Sequence, residues 1–242
     1  MRKLFVCCLF CCLASFVLGE SIFISKPGEK EGKSCQAVRI KDTWFLTAAH
    51  CVSDICNAEC KIEMQIPGGL IETSQKNVSW LNEWRSNASY DIALINFKDA
   101  KIPGVFKEPQ IVIIDNSVKF TEPKIINRSL SISFNSGTIN SWDNVFYGPL
   151  SKIIFTRDMG LFHGLSGAGV FTDKGELIAI TSAAAGRGHE VRFSVFSVFN
   201  EKVESFLKQK GPALYFKHLS YKDFKDADET DKEILISLDN NK

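Results

Sequence analysis

The most informative stretch of the sequence is Trp44-Phe45-Leu46-Thr47-Ala48-Ala49-His50-Cys51-Val52. A β-rich run leads into two alanines and then a histidine. The small alanine side chains allow His50 to lie close against a neighbouring segment of the chain. A histidine at the end of a strand is more often structural than catalytic, so the role of His50 depends on what the rest of the chain brings to it.

A second stretch is Ser89-Tyr90-Asp91-Ile92-Ala93-Leu94-Ile95, in which an aspartate opens an apolar strand. We expect the carboxylate of Asp91 to be partly buried where the strand begins. A buried carboxylate needs a hydrogen-bond donor, and the N–H of an imidazole is a suitable one. A turn or capping role is the plainer interpretation of Asp91 taken alone.

A third stretch is His163-Gly164-Leu165-Ser166-Gly167-Ala168-Gly169-Val170-Phe171. Glycines on both sides of Ser166 favour a tight turn that holds the hydroxyl outward and directs backbone N–H groups towards a developing oxyanion. The plainer interpretation is a loop rich in glycine. The pattern G-x-S-x-G also marks the nucleophile of α/β-hydrolases, but that fold needs alternating helices, which this sequence does not predict.

The middle of the chain consists of short β-rich runs separated by turn sequences. The runs cover residues 36–40, 43–48, 61–66, 92–97, 111–114, 129–134, 152–156, 168–172, 177–181 and 192–195. Short strands at close intervals, with no helices between them, predict an antiparallel sandwich or barrel. A 3.6-residue apolar period over 197–210, ended by Gly211-Pro212, predicts one late helix. Residues 211–242 predict a loosely attached charged tail, because so short a segment cannot bury a core alone.

The N-terminus has the pattern of a secretory signal peptide. Arg2 and Lys3 precede an apolar run from Leu4 to Leu18, and the small Gly19 suits signal peptidase. We therefore predict a signal peptide over 1–19 and a secreted or periplasmic mature chain, with an uncleaved anchor as the alternative. No stable membrane partner is expected after cleavage.

The composition is that of an ordinary globular protein. The 242 residues are 45% hydrophobic and 24% charged. Loss of Arg2 and Lys3 with the signal peptide lowers the 29 basic residues to 27, against 28 acidic residues. This near-neutral balance does not favour a nucleic-acid partner.

Four cysteines remain in the mature chain: Cys35, Cys51, Cys56 and Cys60. An even number in an exported chain predicts two disulfides, for which three pairings exist. Zinc ligation by these cysteines is the alternative, but no pair has the usual C-x-x-C spacing. We expect neither a metal nor a cofactor.

The three stretches, in the order His, Asp, Ser, resemble the chymotrypsin-like (trypsin-like) serine protease family. The family carries T-A-A-H-C at its histidine and D-I-A-L at its aspartate, which are matched by 47–51 and 91–94. Its G-D-S-G-G motif is matched less well by 164–168. The likeness runs from about Cys35 to Leu207. It implies an all-β fold of two six-stranded antiparallel β-barrels over 20–210, with their boundary near 105–125.

The resemblance also implies roles for individual residues. His50, Asp91 and Ser166 would form a catalytic triad, and the backbone N–H groups of Gly164 and Ser166 would form the oxyanion hole. Cys35 and Cys51 match the family's disulfide beside the catalytic histidine. Cys56–Cys60 would then be a local second bridge, which the resemblance does not supply.

The resemblance assigns the substrate pocket to a second group of residues. Gly160 aligns with the base of the pocket for the side chain before the scissile bond, and His163 with its mouth. The pocket wall is assigned to Thr181, Ser182 and Ala184. Small neutral residues favour an apolar or medium-sized side chain. Attraction of an acidic side chain is the alternative, and it rests on Arg187, His189 and Arg192.

The function implied is that of a serine endopeptidase that cuts protein or peptide substrates through an acyl-enzyme. The sequence departs from the family at Leu165, which replaces the aspartate before the nucleophile, and it lacks an Ile-Val-Gly-Gly start. Zymogen activation by that ion pair is therefore unavailable, so we expect a site that forms without cleavage or by a different trigger. A catalytically weak or inactive protease-fold protein that acts as a binding module is the alternative function.

Overall fold

A computed structural model of the chain describes residues 19–25, 32–56, 60–66, 69–104, 106–115, 121–126, 129–134, 137–141, 145–149, 152–157, 159–187 and 191–240. The predicted signal peptide lies outside the described residues, apart from Gly19. No helix in the described ranges combines the length and apolarity that crossing a membrane requires.

The first sheet occupies residues 19 to 96. Its strands are β1 (Gly19–Ser25), β2 (Gly32–Lys41), β3 (Trp44–Thr47), β4 (Lys61–Ile66), β5 (Gly69–Ser74), β6 (Val78–Trp80) and β7 (Ala93–Asn96). Across the sheet they lie in the order β5-β4-β1-β2-β3-β7-β6, and each neighbouring pair is antiparallel. In β4, Ile62, Met64 and Ile66 are buried and the residues between them are not, as expected for a strand with one face on a core.

The second sheet occupies residues 111 to 226. Its strands are β8 (Ile111–Ile114), β9 (Lys124–Ile126), β10 (Leu130–Phe134), β11 (Gly137–Ser141), β12 (Val145–Gly148), β13 (Ile153–Arg157), β14 (Gly169–Thr172), β15 (Leu177–Arg187), β16 (Val191–Val198), β17 (Phe216–Leu219) and β18 (Phe224–Asp226). The main order is β11-β10-β14-β15-β16-β13-β12-β9-β18, and β8 pairs with both β15 and β17.

The predicted all-β class, with two curled barrel-like sheets, is confirmed. The predicted strand number is wrong, because the described sheets hold seven and eleven strands rather than six each. The two pairings of β8 are parallel, so the second sheet is not purely antiparallel. The extra strands include β17 and β18, which come from the segment after Gly211.

The described helices are α1 (Ala49–Cys56), α2 (Glu201–Lys210) and α3 (Glu229–Asn240). Of these, α2 corresponds to the helix predicted over 197–210, and it begins later because Ser197 and Val198 complete β16. The side chain of Asn200 caps α2 by accepting hydrogen bonds from the N–H groups of Lys202 (3.0 Å) and Val203 (3.1 Å). The apolar face of α2 packs into the core of the first sheet.

The prediction of a loosely attached tail is wrong. Within 211–242, β17 extends the second sheet beside β8, β18 pairs with β9, and α3 packs on the sheet. Leu235 of α3 is fully buried in a cluster with Phe146, Phe155 and Phe193. The segment cannot bury a core alone, but its few apolar side chains cover apolar surface that the second sheet already presents.

An ion pair whose carboxylate is buried also attaches the same segment to the sheet. The carboxylate of Glu176 is buried, and it pairs with the ammonium of Lys217 on β17. The hydroxyl of Thr172 donates to the same carboxylate at 3.2 Å. Two donors satisfy a charge that would be costly to bury alone, so β17 is held to the β14–β15 turn by charge as well as by strand pairing.

Truncation of one side chain tests whether the C-terminal segment contributes to stability. We expect Leu235→Ala to lower the free energy of unfolding by about 2–4 kcal/mol, because it removes a fully buried side chain. The exposed Glu233→Ala on the same helix is the matched control and should change it by less than about 0.5 kcal/mol. Urea denaturation of both variants makes the comparison, and equal stability would contradict the packing described.

A disulfide joins the two elements that lead to His50. Cys35 in β2 is bonded to Cys51 in α1, with 6.4 Å between their Cα atoms and a sequence separation of 16. The pairing predicted from the family resemblance is therefore confirmed. Cys60 is also disulfide-bonded, whereas the predicted Cys56–Cys60 bridge involves a side chain outside the described residues.

Removal of this bridge should destabilise the protein without abolishing its fold. The double variant Cys35→Ala/Cys51→Ala is expected to lose about 3 kcal/mol, since the bridge restricts the unfolded chain over a loop of this length. Denaturant titration under non-reducing conditions gives the measurement and leaves the bridge of Cys60 intact. Detection of Cys35 as a free thiol in native wild type would rule out the pairing.

Candidate active site

His50 is the second residue of α1, directly after the fully buried Ala48 and Ala49. The small alanines allow the close approach that the sequence predicts. A Cβ built on Gly167 would lie only 3.1 Å from the backbone nitrogen of Ala48. The turn that carries Ser166 is therefore in direct contact with the segment that carries His50.

Asp91 fixes the imidazole of His50. Its side chain is only 5% exposed, and its Oδ2 lies 2.7 Å from Nδ1 of His50. Its Oδ1 accepts the backbone N–H of His50 at 2.8 Å. Since an ionised carboxylate only accepts, Nδ1 carries the proton, and Nε2 is left as the basic nitrogen. The predicted pairing of a buried aspartate with an imidazole N–H is present.

Ser182 makes a contact that sequence reasoning missed. Its hydroxyl donates to Oδ2 of Asp91 at 2.6 Å, whereas the sequence analysis placed Ser182 only in the wall of a pocket. The register of β15 against β16 shifts between Thr181 and Ala183. A bulge of this kind re-aims a side chain, and a local irregularity in strand pairing has no signature in the residue pattern.

The turn that carries Ser166 is held by both sheets. The carbonyl of Ser166 accepts the N–H of Gln36 at 2.8 Å, and the N–H of Gly167 donates to the carbonyl of Thr181 at 2.8 Å. The side-chain amide of Gln36 also donates to the carbonyl of Gly164 at 3.2 Å. The turn thus bridges β2 of the first sheet and β15 of the second.

The sulfur of Cys51, which is part of the disulfide, lies close to both His50 and Ser166. It is 3.8 Å from Nε2 of His50 and 3.9 Å from the carbonyl oxygen of Ser166. Two atoms at these distances from one sulfur cannot be more than about 7.7 Å apart. The basic nitrogen and the serine residue therefore lie near each other, where the segment after β3 meets the turn before β14.

Two backbone N–H groups at the turn have no acceptor among the described residues, namely those of Gly164 and Ser166. The N–H of Leu165 between them donates to the carbonyl of Phe162 at 3.2 Å. Gly164 has a φ of +97°, a left-handed conformation that favours glycine. An oxyanion hole needs amides of this kind, and the assignment of these two amides to one stays a prediction.

Leu165 stands where the G-D-S-G-G motif of the family has an aspartate. Its side chain is 1% exposed. Its backbone carbonyl accepts the N–H of Ala168 at 3.0 Å, and its N–H donates to Phe162. Backbone hydrogen bonds and burial of an apolar side chain therefore hold the turn in a chain that lacks this carboxylate.

The other residues assigned to the pocket differ in burial. Gly160, His163 and Ala184 are exposed, and Thr181 is buried. Thr181 contributes mainly through its backbone, which bonds to Gly167 and Ala168. The side chains of Arg187, His189 and Arg192, which the alternative of an acidic substrate invokes, lie outside the described residues.

The ring of Trp84 lies beside the imidazole of His50, a contact that no local sequence signal predicts. The ring centroids of Trp84 and His50 are 6.5 Å apart. Lys202 of α2 anchors the loop by an ion pair with Glu83, and its hydrogen bond lowers the pKa of the Glu83 carboxyl. The same ammonium lies 4.9 Å above the ring of Tyr90. The loop that leads to Asp91 is thus fixed from α2.

Cys35, His50 and Cys51 have ligand atoms within 4.8 Å of one another, so the geometry alone resembles a metal cluster. The two sulfurs are bonded to each other. A metal requires the thiolate form of cysteine, which a disulfide does not offer. The arrangement in this oxidised chain therefore does not fit a zinc site.

Two glycine substitutions separate steric conflict from backbone strain. Gly167 has a φ of +89°, and a Cβ there would lie 2.1 Å from the carbonyl oxygen of Gln36. Gly160 has a φ of +71° with nothing within 4 Å. We expect Gly160→Ala to cost about 1–2 kcal/mol for the left-handed conformation alone and Gly167→Ala to cost clearly more. Urea denaturation compares them, and a Gly167→Ala variant no less stable than Gly160→Ala would contradict the close packing of the turn.

Comparison with known families matches the Trypsin family model to residues 21–112. This part of the chain contains all of the first sheet except Gly19 and Glu20, the first two residues of β8, His50 and Asp91. Comparison with curated proteins gives no match.

Several solved structures share the fold. The protease Anisep from Arthrobacter nicotinovorans has a TM-score of 0.57 at 14% identity, over 82% of this chain and 97% of its own. The scabies mite inactivated protease paralogue S-I1 has a TM-score of 0.56 at 17% identity, over 80% and 94%. The thermostable serine protease AL20 from an extremophilic microorganism has a TM-score of 0.50 at 13% identity, over 81% and 95%.

At these identities the structural likeness concerns the fold. The family match covers the part of the chain that holds His50 and Asp91. By its fold and by that match, the chain resembles the chymotrypsin-like serine proteases.

Proposed function

We propose that this chain is an exported serine endopeptidase that hydrolyses peptide bonds through an acyl-enzyme on Ser166. The observation that carries the proposal is the 2.7 Å contact between Nδ1 of His50 and Oδ2 of Asp91. With the proton held on Nδ1, Nε2 is free to act as a base beside the turn that carries Ser166. This division of the two ring nitrogens is what acyl transfer by a serine requires.

In the first half of the reaction, Oγ of Ser166 attacks the carbonyl carbon of the scissile peptide bond. Its proton passes to Nε2 of His50 as the new C–O bond forms. The carbonyl oxygen becomes an oxyanion and accepts hydrogen bonds from the N–H groups of Gly164 and Ser166. The C–N bond then breaks, Nε2 returns the proton to the leaving amine, and the acyl group remains on Ser166 as an ester.

In the second half, water takes the place of the amine. Nε2 of His50 removes a proton from the water as its oxygen attacks the ester carbonyl, and the oxyanion again bonds to the two amides. The C–O bond to Ser166 breaks, and Nε2 gives its proton back to Oγ. A carboxylic acid leaves, and the enzyme returns to its starting state with no oxidant or cofactor consumed.

Asp91 orients the imidazole of His50 during these steps, and Ser182 orients Asp91. The carboxylate stabilises the imidazolium that exists whenever Nε2 holds the proton. Hydrogen bonds from Ser182 and from the backbone of His50 keep the carboxylate oriented and satisfied while it is buried. Loss of an oxyanion donor in such a site costs on the order of 3 kcal/mol of transition-state stabilisation.

The second candidate function is a binding module that has lost catalysis. It is favoured by Leu165, which replaces the aspartate of the family motif, and by the similarity of the fold to a protein described as an inactivated protease paralogue. Catalysis is favoured by the intact set of His50, Asp91 and Ser166, and by two amides without an acceptor among the described residues. A binding module has no need of this combination.

Export is part of the proposal. The N-terminal pattern of residues 1–19 is that of a signal peptide. The disulfide Cys35–Cys51 is a bond that forms and persists in oxidising compartments. The substrate is accordingly expected to be an extracellular or periplasmic protein or peptide.

A fluorophosphonate probe tests the proposed nucleophile. We expect the probe to label pure, folded wild type, because the activated hydroxyl of Ser166 attacks phosphorus as it attacks a carbonyl. Ser166→Ala should lose all labelling, and His50→Ala should be labelled far more slowly. Ser205→Ala, which removes an exposed hydroxyl on α2, is the matched control and should label like wild type.

The two functions give different results in this assay. Absence of labelling on folded wild type would favour the binding module. Labelling that persists in Ser166→Ala would assign the reactive hydroxyl to another residue.

A further inference from the structure

An exposed aromatic side chain lies in the segment that leads to Ser166. Among the described residues, Phe162 is one of three exposed large apolar side chains, together with Leu70 and Tyr215. It is 56% exposed, although its position is only two residues before Gly164. Burial of an aromatic surface of this size is favourable, so a ligand that covers Phe162 gains affinity.

The backbone around Phe162 is fixed. Its carbonyl accepts the N–H of Leu165, and the neighbouring Leu161 packs on the core of the second sheet. Met159 is held by a hydrogen bond of 3.0 Å from its N–H to the hydroxyl of Ser194. The ring is thus presented to solvent by an anchored segment of backbone.

A second aromatic ring extends this surface. Phe134, at the end of β10, meets Phe162 edge to face, with ring centroids 6.0 Å apart and planes at 86°. Phe134 is half-buried. The two rings form a small apolar surface, the Phe134–Phe162 surface, on the second sheet beside the oxyanion amides.

Strand register shows on which side of Ser166 this surface lies. Gly169 at the start of β14 pairs with Ser133 of β10 on one side and with Ile180 of β15 on the other. If this register continues by one residue, Phe134 on β10 and Thr181 on β15 lie on opposite sides of Ala168. Neighbouring strands are about 4.8 Å apart, so the two residues flank the nucleophile turn at roughly twice that spacing.

In the proposed reaction, the two sides of the Ser166 turn contact different parts of the substrate. One wall of the pocket for the side chain before the scissile bond is assigned to β15, at Thr181 and Ala184. A peptide whose carbonyl oxygen rests on the amides of Gly164 and Ser166 enters from that side. Its continuation beyond the scissile bond therefore leaves on the β10 side, over the Phe134–Phe162 surface.

We propose that the Phe134–Phe162 surface binds an apolar side chain on the leaving-group side of the scissile bond, and that Phe162 is its main contact. This inference rests on the proposed peptidase function and adds a substrate class to it. The preferred substrates carry Leu, Ile, Met or Phe within the first two residues after the cleaved bond. Glycine and acidic residues at these positions leave the two rings uncovered.

Acyl transfer from the enzyme to an added amine tests binding on the leaving-group side separately from formation of the acyl-enzyme. A peptide methyl ester forms the acyl-enzyme and releases methanol, which is too small to reach the Phe134–Phe162 surface. Leucine amide or glycine amide then competes with water for the acyl group. In wild type, we expect leucine amide to be used on the order of tenfold more efficiently than glycine amide, the effect of one apolar contact in a binding site.

The variant Phe162→Ala should lower that preference to about twofold or less while leaving hydrolysis of the methyl ester within about twofold of wild type. Phe162→Leu, which keeps an apolar side chain, should retain most of the preference. Tyr215→Ala removes an aromatic ring that is 77% exposed and lies before β17. It is the matched control and should change neither quantity.

The outcomes separate this inference from the proposed function. The inference is wrong if wild type uses both amides equally, or if Phe162→Ala keeps the wild-type preference for leucine amide. Hydrolysis of the methyl ester by the same proteins would still support the peptidase function. An equal loss of ester hydrolysis and of amine use in Phe162→Ala assigns Phe162 a structural role and also overturns the inference. A wild type that neither hydrolyses the ester nor reacts with a fluorophosphonate overturns both.

Discussion

The hydrogen bond from the N–H of Gln36 to the carbonyl of Ser166, at 2.8 Å, is the contact on which the candidate site depends. It joins the first sheet, which carries His50 and Asp91, to the second sheet, which carries the serine. The bond requires a backbone approach that only a glycine at position 167 permits, because a Cβ there would lie 2.1 Å from the carbonyl of Gln36. The geometry of the site is thus a consequence of how closely the two sheets meet.

The packing around His50 and the burial of Asp91 were predicted correctly, because both have local sequence signals. The two alanines before His50 indicate close packing, and the apolar run after Asp91 indicates a carboxylate at the buried start of a strand. Both are properties of a few consecutive residues, and the structure brings the two side chains to 2.7 Å. The family resemblance supplied the partner of Cys35, which cysteine spacing alone could not identify because three pairings were open.

Features that depend on contacts between distant segments were not predictable. The hydroxyl of Ser182 reaches Asp91 because of a register shift in β15, and no residue type marks such a shift. The ring of Trp84 lies beside His50 because α2 holds its loop through Lys202. The C-terminal segment has the charge of a solvated tail, yet Leu235 of α3 packs in a cluster with phenylalanines from three strands of the second sheet.

The proposed acyl transfer requires Ser166, His50 and the amides of Gly164 and Ser166 to act on one carbonyl carbon. The most direct measurement is a crystal structure of the protein treated with a peptidyl boronic acid, whose boron mimics that carbon in its tetrahedral state. We expect a bond from boron to Oγ of Ser166, one boronate oxygen on the two amides, and Nε2 of His50 within hydrogen-bond distance of the adduct. Boron attached elsewhere, or bound to Ser166 with His50 turned away from it, would rule out this mechanism.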